Sequence, residues 1–163
     1  MIPLLVVVFA AALGAQKLDE VCGACHNEPA DDFRTHVHFE KGLSCDACHG
    51  ASKAHREASG HKLPDKVAGP SEQPAVCGAC HTAQRKSYEA SKHGKLVLAR
   101  AEKRAAACTT CHGTHAQRKA VAMVNQCGRC HQALPESCRK PAPQVSKVAC
   151  ANCHDAHTLA AKR

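Results

Sequence analysis

The chain has 163 residues, of which only 2% are aromatic: no tryptophan, one tyrosine and three phenylalanines. A domain this small is already marginal on surface-to-volume grounds, and this composition excludes a core filled by large side chains. Its formal charge of +8, with histidine neutral, suits a phosphate or membrane surface only if no bound group offsets it.

In chain order, Ile2 to Ala15 form an apolar run ending in small residues, with cleavage expected after Gly14 or Ala15. That pattern fits the apolar region and cleavage site of a secretory signal peptide, although no Lys or Arg precedes it. The run is short for a bilayer span. A lipoprotein anchor is not expected, because the first cysteine, Cys22, belongs to a motif of another kind. Residues 1–15 are therefore read as a signal peptide, and 16–163 as one exported domain.

Cys-x-x-Cys-His then recurs six times. The copies are Cys22, Cys25 and His26; Cys45, Cys48 and His49; Cys77, Cys80 and His81; Cys108, Cys111 and His112; Cys127, Cys130 and His131; and Cys150, Cys153 and His154. This is the attachment sequence of c-type haem: two thiols add to the porphyrin vinyl groups and the histidine ligates the iron. Zinc is the rival, since Cys-x-x-Cys pairs also build zinc ribbons. A zinc ribbon leaves the residue after the second cysteine free to vary, and six histidines there by chance have a probability on the order of 10⁻⁷. Thioredoxin-like redox pairs would follow a strand, and no strand pattern precedes any copy. The motifs imply six covalent haems, no zinc, and iron held by His26, His49, His81, His112, His131 and His154.

The copies fall into three two-haem units, about 22–61, 77–115 and 127–157. Cys22-Gly-Ala-Cys-His26, Cys77-Gly-Ala-Cys-His81 and Cys127-Gly-Arg-Cys-His131 open them. Phe33 and His38 lie eleven and sixteen residues after Cys22; Tyr88 and His93 take the same offsets from Cys77. Each second motif is trailed by a histidine: His55, His115 and His157. A haem with two imidazoles needs its second one from outside its own motif, so these five repeat-placed histidines are expected distal ligands. Which histidine serves which iron cannot be read from spacing.

The third unit departs from the pattern. Cys138 stands at the offset of Phe33 and Tyr88, and Pro143 at the offset of His38 and His93. The sixth distal ligand is expected to be His61 or His36, with Cys138, Met123 or an open position as alternatives. His36 aligns with Ser91 and so lacks repeat support. Cys138, the odd thiol, is expected to be reactive, disulfide-linked to another chain, iron-ligating, or shielded and inert. Met123, beside Val121 and Val124, suits packing better than ligation.

Between motifs, Lys95 to Ala107 has the composition of a helix, with Gly94 just ahead of it. Lys62 to Ala75 and Leu134 to Ser146 read as proline-containing connectors. No strand alternation is convincing. The expected fold is mostly irregular, with a few short α-helices, little or no β-sheet, and a haem chain as its organising centre. Each haem adds about two propionate charges and each ferric iron about one positive charge, which brings the oxidised protein near +2 and the reduced one near −4. Such a small field points to no nucleic-acid partner.

At these residues the chain resembles the multihaem c-type cytochromes of bacterial periplasms. It is similar to the decahaem cytochromes of outer-membrane porin conduits and extracellular reductase systems, and to the pentahaem donors to nitrite reductase. The resemblance runs from Cys22 to His157 and rests on the paired motifs, the aromatic-x-x-x-x-His element and Cys-His-Gly with its trailing histidine. It implies low-spin haems with paired imidazoles, and a periplasmic or outer-membrane-associated relay that is not an enzyme. Expected partners are a membrane quinol oxidase-type donor or periplasmic cytochrome, and an outer-membrane porin or extracellular cytochrome. The alternatives are a subunit of a haem filament, or a reductase with one open iron.

Overall fold

A computed structural model describes residues 19–99, 105–133 and 150–162. Among them the chain is helical in short pieces and irregular between, without a named strand; a single antiparallel bridge joins His154 and Ala161. The mostly irregular, helical architecture expected from the sequence is the one observed. No described helix is long and apolar enough to cross a membrane.

The chain divides into two compact units. The first takes in the chain through Val67 and also the segment Thr114–Gln117. It holds α1 (Asn27–Arg34), α2 (Val37–Glu40), α3 (Cys45–His49) and α4 (Lys53–Glu57), after a helical stretch at residues 19–23. The Gln117 side chain accepts from the backbone N–H of Val37 at 3.2 Å, which ties the returning segment to the start of α2.

The second unit holds α5 (Gln73–Gly78), α6 (Thr82–Ala90), α7 (Lys92–Leu98), α8 (Cys108–His112), α9 (Ala120–Asn125), α10 (Cys127–Cys130) and α11 (Cys150–Cys153). Within it α5 packs on α6 and α8, α6 on α7, and α9 on α8 and α10. Gln73 clamps α5 to α8, because its Oε1 accepts from both the backbone N–H and the hydroxyl of Thr109, at 3.1 and 3.2 Å. Arg118 closes the C-terminal end of α8, its Nη1 donating to the carbonyls of Thr109 and Thr110 at 2.9 and 3.0 Å. A cation there also opposes the negative end of the helix dipole.

Two expectations on helix placement change. The helix foreseen over Lys95–Ala107 is instead α7, beginning at Lys92 and ending at Leu98. Ser91 starts it early: its hydroxyl accepts from the backbone N–H of Gly94 at 3.0 Å, an N-cap that outranks composition. Residues 105–107 are non-helical, and the Tyr88 hydroxyl donates to the Ala106 carbonyl there at 2.8 Å. The connector Lys62–Ala75 becomes helical at Gln73, with the buried Pro74 in the first turn, where a missing N–H costs nothing. The signal peptide, residues 100–104 of the foreseen helix, Cys138 and the whole connector Leu134–Ser146 lie outside the described residues.

Gly94 lies inside α7 rather than ahead of it, and a Cβ there would run into the backbone of Tyr88 and Glu89. Backbone cannot yield as a flexible side chain can. Gly94→Ala is expected to destabilise the mature protein by about 1–3 kcal/mol through overpacking. Thermal unfolding of the haem-loaded variant beside the parent checks this; an unchanged midpoint sinks it.

Candidate metal centres

The polypeptide buries little of its own. Ala30, Pro74, Val97 and Ala107 are the buried apolar side chains among the described residues, against the buried polar residues Asp19, His36, Ser44, Ser52 and Ser91. An interior this thin fits a chain whose bulk comes from flat apolar cofactors.

The cysteines come together repeat by repeat. The thiols of Cys22 and Cys45, of Cys77 and Cys108, and of Cys127 and Cys150 lie near enough to shift one another's acidity. Each pair joins the leading thiol of a unit's first motif to that of its second. In the free-thiol chain these contacts shift acidity. The hydrogen bond from Cys108 draws Cys77 down to about 7, against its burial. Burial, with Cys22 and Asp19 beside it, pushes Cys45 up to about 12. Asp19 itself is 2% exposed and held by Arg34 Nε at 3.2 Å. The Cys45 thiol also donates to Asp19 at 3.6 Å, a bond that conversion to a thioether would remove.

The motif histidines take repeat-specific places. His26 and His81 are the N-cap residues of α1 and α6, whereas His49 and His112 end α3 and α8. Gly50 and Gly113 follow with φ of +73° and +84°, a left-handed turn that favours glycine. In the third unit Asp155 stands there and builds the turn with its side chain. Its Oδ1 accepts from the backbone N–H of His157 at 3.0 Å and of Thr158 at 2.8 Å, bonds that hold the carboxyl below its ordinary range.

Four motif histidines each face a histidine from outside the motifs. Ring centroids stand 6.0 Å apart for His26 and His55, 6.0 Å for His49 and His115, 5.9 Å for His131 and His93, and 6.0 Å for His112 and His157. A ring centroid lies roughly 1.2 Å behind its ligating nitrogen and a metal–imidazole bond spans about 2.0 Å, so two imidazoles trans across one metal stand about 6 Å apart. The spacing therefore fits one iron between each pair. Burial, followed by the facing imidazole, lowers the pKa of His93, His112 and His115, which keeps a lone pair available at neutral pH.

Backbone carbonyls select which nitrogen is available. His49 Nδ1 donates to the Lys66 carbonyl at 3.0 Å, His55 Nδ1 to Lys62 at 2.6 Å, and His154 Nδ1 to Leu159 at 3.0 Å. A carbonyl only accepts, so the proton is on Nδ1 and Nε2 keeps its lone pair for a metal. The first connector supplies two of these carbonyls, and Asp65 pins it: its Oδ2 accepts from the Ser52 N–H at 2.8 Å. A Cβ on Gly50 would come within 2.9 Å of the Asp65 Cβ.

His36 has a different task. Its Nδ1 accepts from the backbone N–H of His38 at 3.1 Å, so it caps α2 as its repeat counterpart Ser91 caps α7. Neutral His36 then carries its proton on Nε2, leaving no lone pair there for iron. It is 7% exposed and stacked on Phe33 and His38, at 5.6 and 4.7 Å. His38 takes the same place in α2 as His93 takes in α7, and both His38 and His81 make further contacts. His61 is exposed, and Met123 is half-buried in α9.

Sequence reasoning missed the supporting groups: the carbonyls of Lys62, Lys66 and Leu159, the Asp65 clamp and the Arg118 cap. No motif marks a backbone carbonyl, whereas the match of His36 to Ser91 was a signal for a cap.

A family model described as cytochrome c3 matches residues 37–132, a stretch containing four of the six motifs. No curated protein and no solved structure matches the chain.

Proposed function

The chain belongs to the cytochrome c3 family, electron carriers with covalently bound haem c, and we propose that it works as an exported six-haem relay. The observation that carries this reading is the set of four histidine pairs at 5.9–6.0 Å, each joining a motif histidine to one from elsewhere. The twelve motif cysteines are the tethers. His26, His49, His81, His112, His131 and His154 are the proximal ligands. His55, His115, His157 and His93 are the distal partners of His26, His49, His112 and His131, and His38 is a fifth distal ligand.

Bound haem supplies an iron that gains or loses one electron at a potential set by its axial ligands and surroundings. The residues' task is to hold that coordination through both oxidation states. The motif cysteines would tether haem, the carbonyl-bonded Nδ1 protons hold the imidazole rings in orientation, and the neighbouring leading thiols bring the two motifs of one repeat together. The proposed partners are redox proteins met through small transient interfaces. A quinol-oxidising membrane donor or periplasmic cytochrome stands on one side. An outer-membrane porin or an extracellular cytochrome stands on the other.

The test is the mature protein purified from a host that attaches haem c. Its mass should exceed the polypeptide's by six haems, and low-spin signals with paired imidazoles should account for at least four irons by quantified EPR. Fewer than four such irons, or fewer attached haems, would overturn the reading.

A further inference from the structure

One short segment of the first compact unit reaches a histidine in each of two ring pairs. His55 Nδ1 donates to the Lys62 carbonyl at 2.6 Å, and His49 Nδ1 donates to the Lys66 carbonyl at 3.0 Å. His55 faces His26, and His49 faces His115. The segment therefore holds the outside histidine of one pair and the motif histidine of the other. Residues 62–66 act as a strap whose two carbonyls fix the protonated nitrogen, and with it the ring orientation, in both pairs.

A single acid fastens this strap. Asp65 Oδ2 accepts from the Ser52 backbone N–H at 2.8 Å, and the Asp65 backbone N–H donates in return to the Ser52 hydroxyl at 3.1 Å. That hydroxyl donates to the His49 carbonyl at 3.0 Å, and the same carbonyl accepts from the Lys66 N–H at 3.2 Å. Ser52 is buried and has a φ of +46°, a left-handed conformation that a residue with a side chain keeps only when its surroundings hold it there. The reciprocal bonds with Asp65 do that. The strap, the turn after the second motif and the two histidines thus form one hydrogen-bonded unit with Asp65 at its centre.

We infer that Asp65 is a positioning residue that sets two haem potentials together, those of the haems tethered by Cys22 and Cys25 and by Cys45 and Cys48. It acts through the strap and through neither iron directly. Its carboxylate keeps the Lys62 and Lys66 carbonyls against the two Nδ1–H groups. Each such bond makes its imidazole more basic, which stabilises ferric over ferrous iron and lowers the potential. The inference rests on the six-haem reading and deepens it within one repeat.

Asp65→Ala and Asp65→Asn in the mature protein are the test, with each haem's potential resolved by redox titration followed by NMR. Alanine removes the acceptor, whereas asparagine keeps an amide oxygen in its place and discards only the charge. Asp65→Ala is expected to raise both first-repeat potentials and leave the others at the parent's values. A loss of ferric preference of about threefold at each iron corresponds to about 30 mV for a one-electron couple. Asp65→Asn is expected to stay closer to the parent than to the alanine variant. Equal shifts in the two variants overturn the inference, because a through-space charge effect treats them alike. A shift confined to one of the two haems, or no shift, overturns it as well. If Asp65→Ala does not mature, the parent with nitrogen-labelled histidine supplies the second readout. The Nδ1 protons of His49 and His55 should exchange slowly with deuterated water, and faster in Asp65→Asn only if charge is what holds the strap. Rapid exchange of either proton in the parent overturns the inference. Haem count by mass and the low-spin count decide the relay reading, and neither depends on where these potentials fall.

Discussion

Expressed in a host without haem-attachment machinery, the chain is expected to lose most of its helical circular dichroism and to show no cooperative thermal transition. The longest helix lying wholly within the described residues, Thr82–Ala90, has nine residues, and isolated helices shorter than about 12–15 residues are marginal in water. Tertiary packing must therefore stabilise them, and the polypeptide contributes four buried apolar side chains to it among the described residues, Ala30, Pro74, Val97 and Ala107. The buried polar residues do not make up the difference, because a hydrogen bond gains only about 1 kcal/mol net over its water-bonded alternative. Haem attachment and folding are thus expected to be one event, as metal binding and folding are in zinc fingers. Hydrogen exchange offers a second readout: amides of α5 to α8 should be protected in the mature protein and unprotected in the unloaded chain. A cooperative transition in the unloaded chain would show that the polypeptide has a core of its own and defeat the expectation.

Replacing His157 by alanine is expected to disturb the haem held by Cys108 and Cys111, not the one whose motif ends three residues before it. The ground is the 6.0 Å spacing of the His112 and His157 rings at an interplanar angle of 12°. One low-spin signal should convert to high spin and the potential of that haem should rise, because a weaker sixth ligand stabilises the ferric iron less. The location is checked by combining His157→Ala with Cys108→Ala/Cys111→Ala, which should remove the new signal together with its haem. If the signal survives there and disappears with Cys150→Ala/Cys153→Ala, the trailing histidine serves its own repeat and the pairing of His157 with His112 fails. His93→Ala gives an independent case: it should open the haem of Cys127 and Cys130, in the following repeat, and leave that of Cys77 and Cys80 low-spin.

Local chemistry was the legible part. Cys-x-x-Cys-His carries its meaning in five consecutive residues, so no knowledge of distant neighbours is needed to read it. The repeat was legible for the same reason: fixed offsets put His38 and His93 at matching places in α2 and α7. The low aromatic content and scattered glycines and prolines were enough to expect short helices without a sheet. Helix boundaries were less legible where a cap decided them. Composition favoured a start at Lys95, but the Ser91 hydroxyl, one side chain at the right φ and ψ, began α7 three residues earlier.

The amino-acid sequence alone determined the c-type cytochrome character, the six Cys-x-x-Cys-His motifs and the pool of histidines outside them, because each depends on residue type and short spacing. Only the tertiary structure decided which members of that pool meet. His115 belongs to the second repeat in sequence but to the first compact unit in space, and no periodicity along the chain contains that crossing. Whether a histidine caps a helix or faces another imidazole was likewise settled in three dimensions. His36 and His55 are the same residue type, and they differ in which ring nitrogen the backbone occupies. A peptide N–H takes the lone pair of one, a peptide carbonyl takes the proton of the other, and that difference leaves only His55 with a nitrogen to offer a metal.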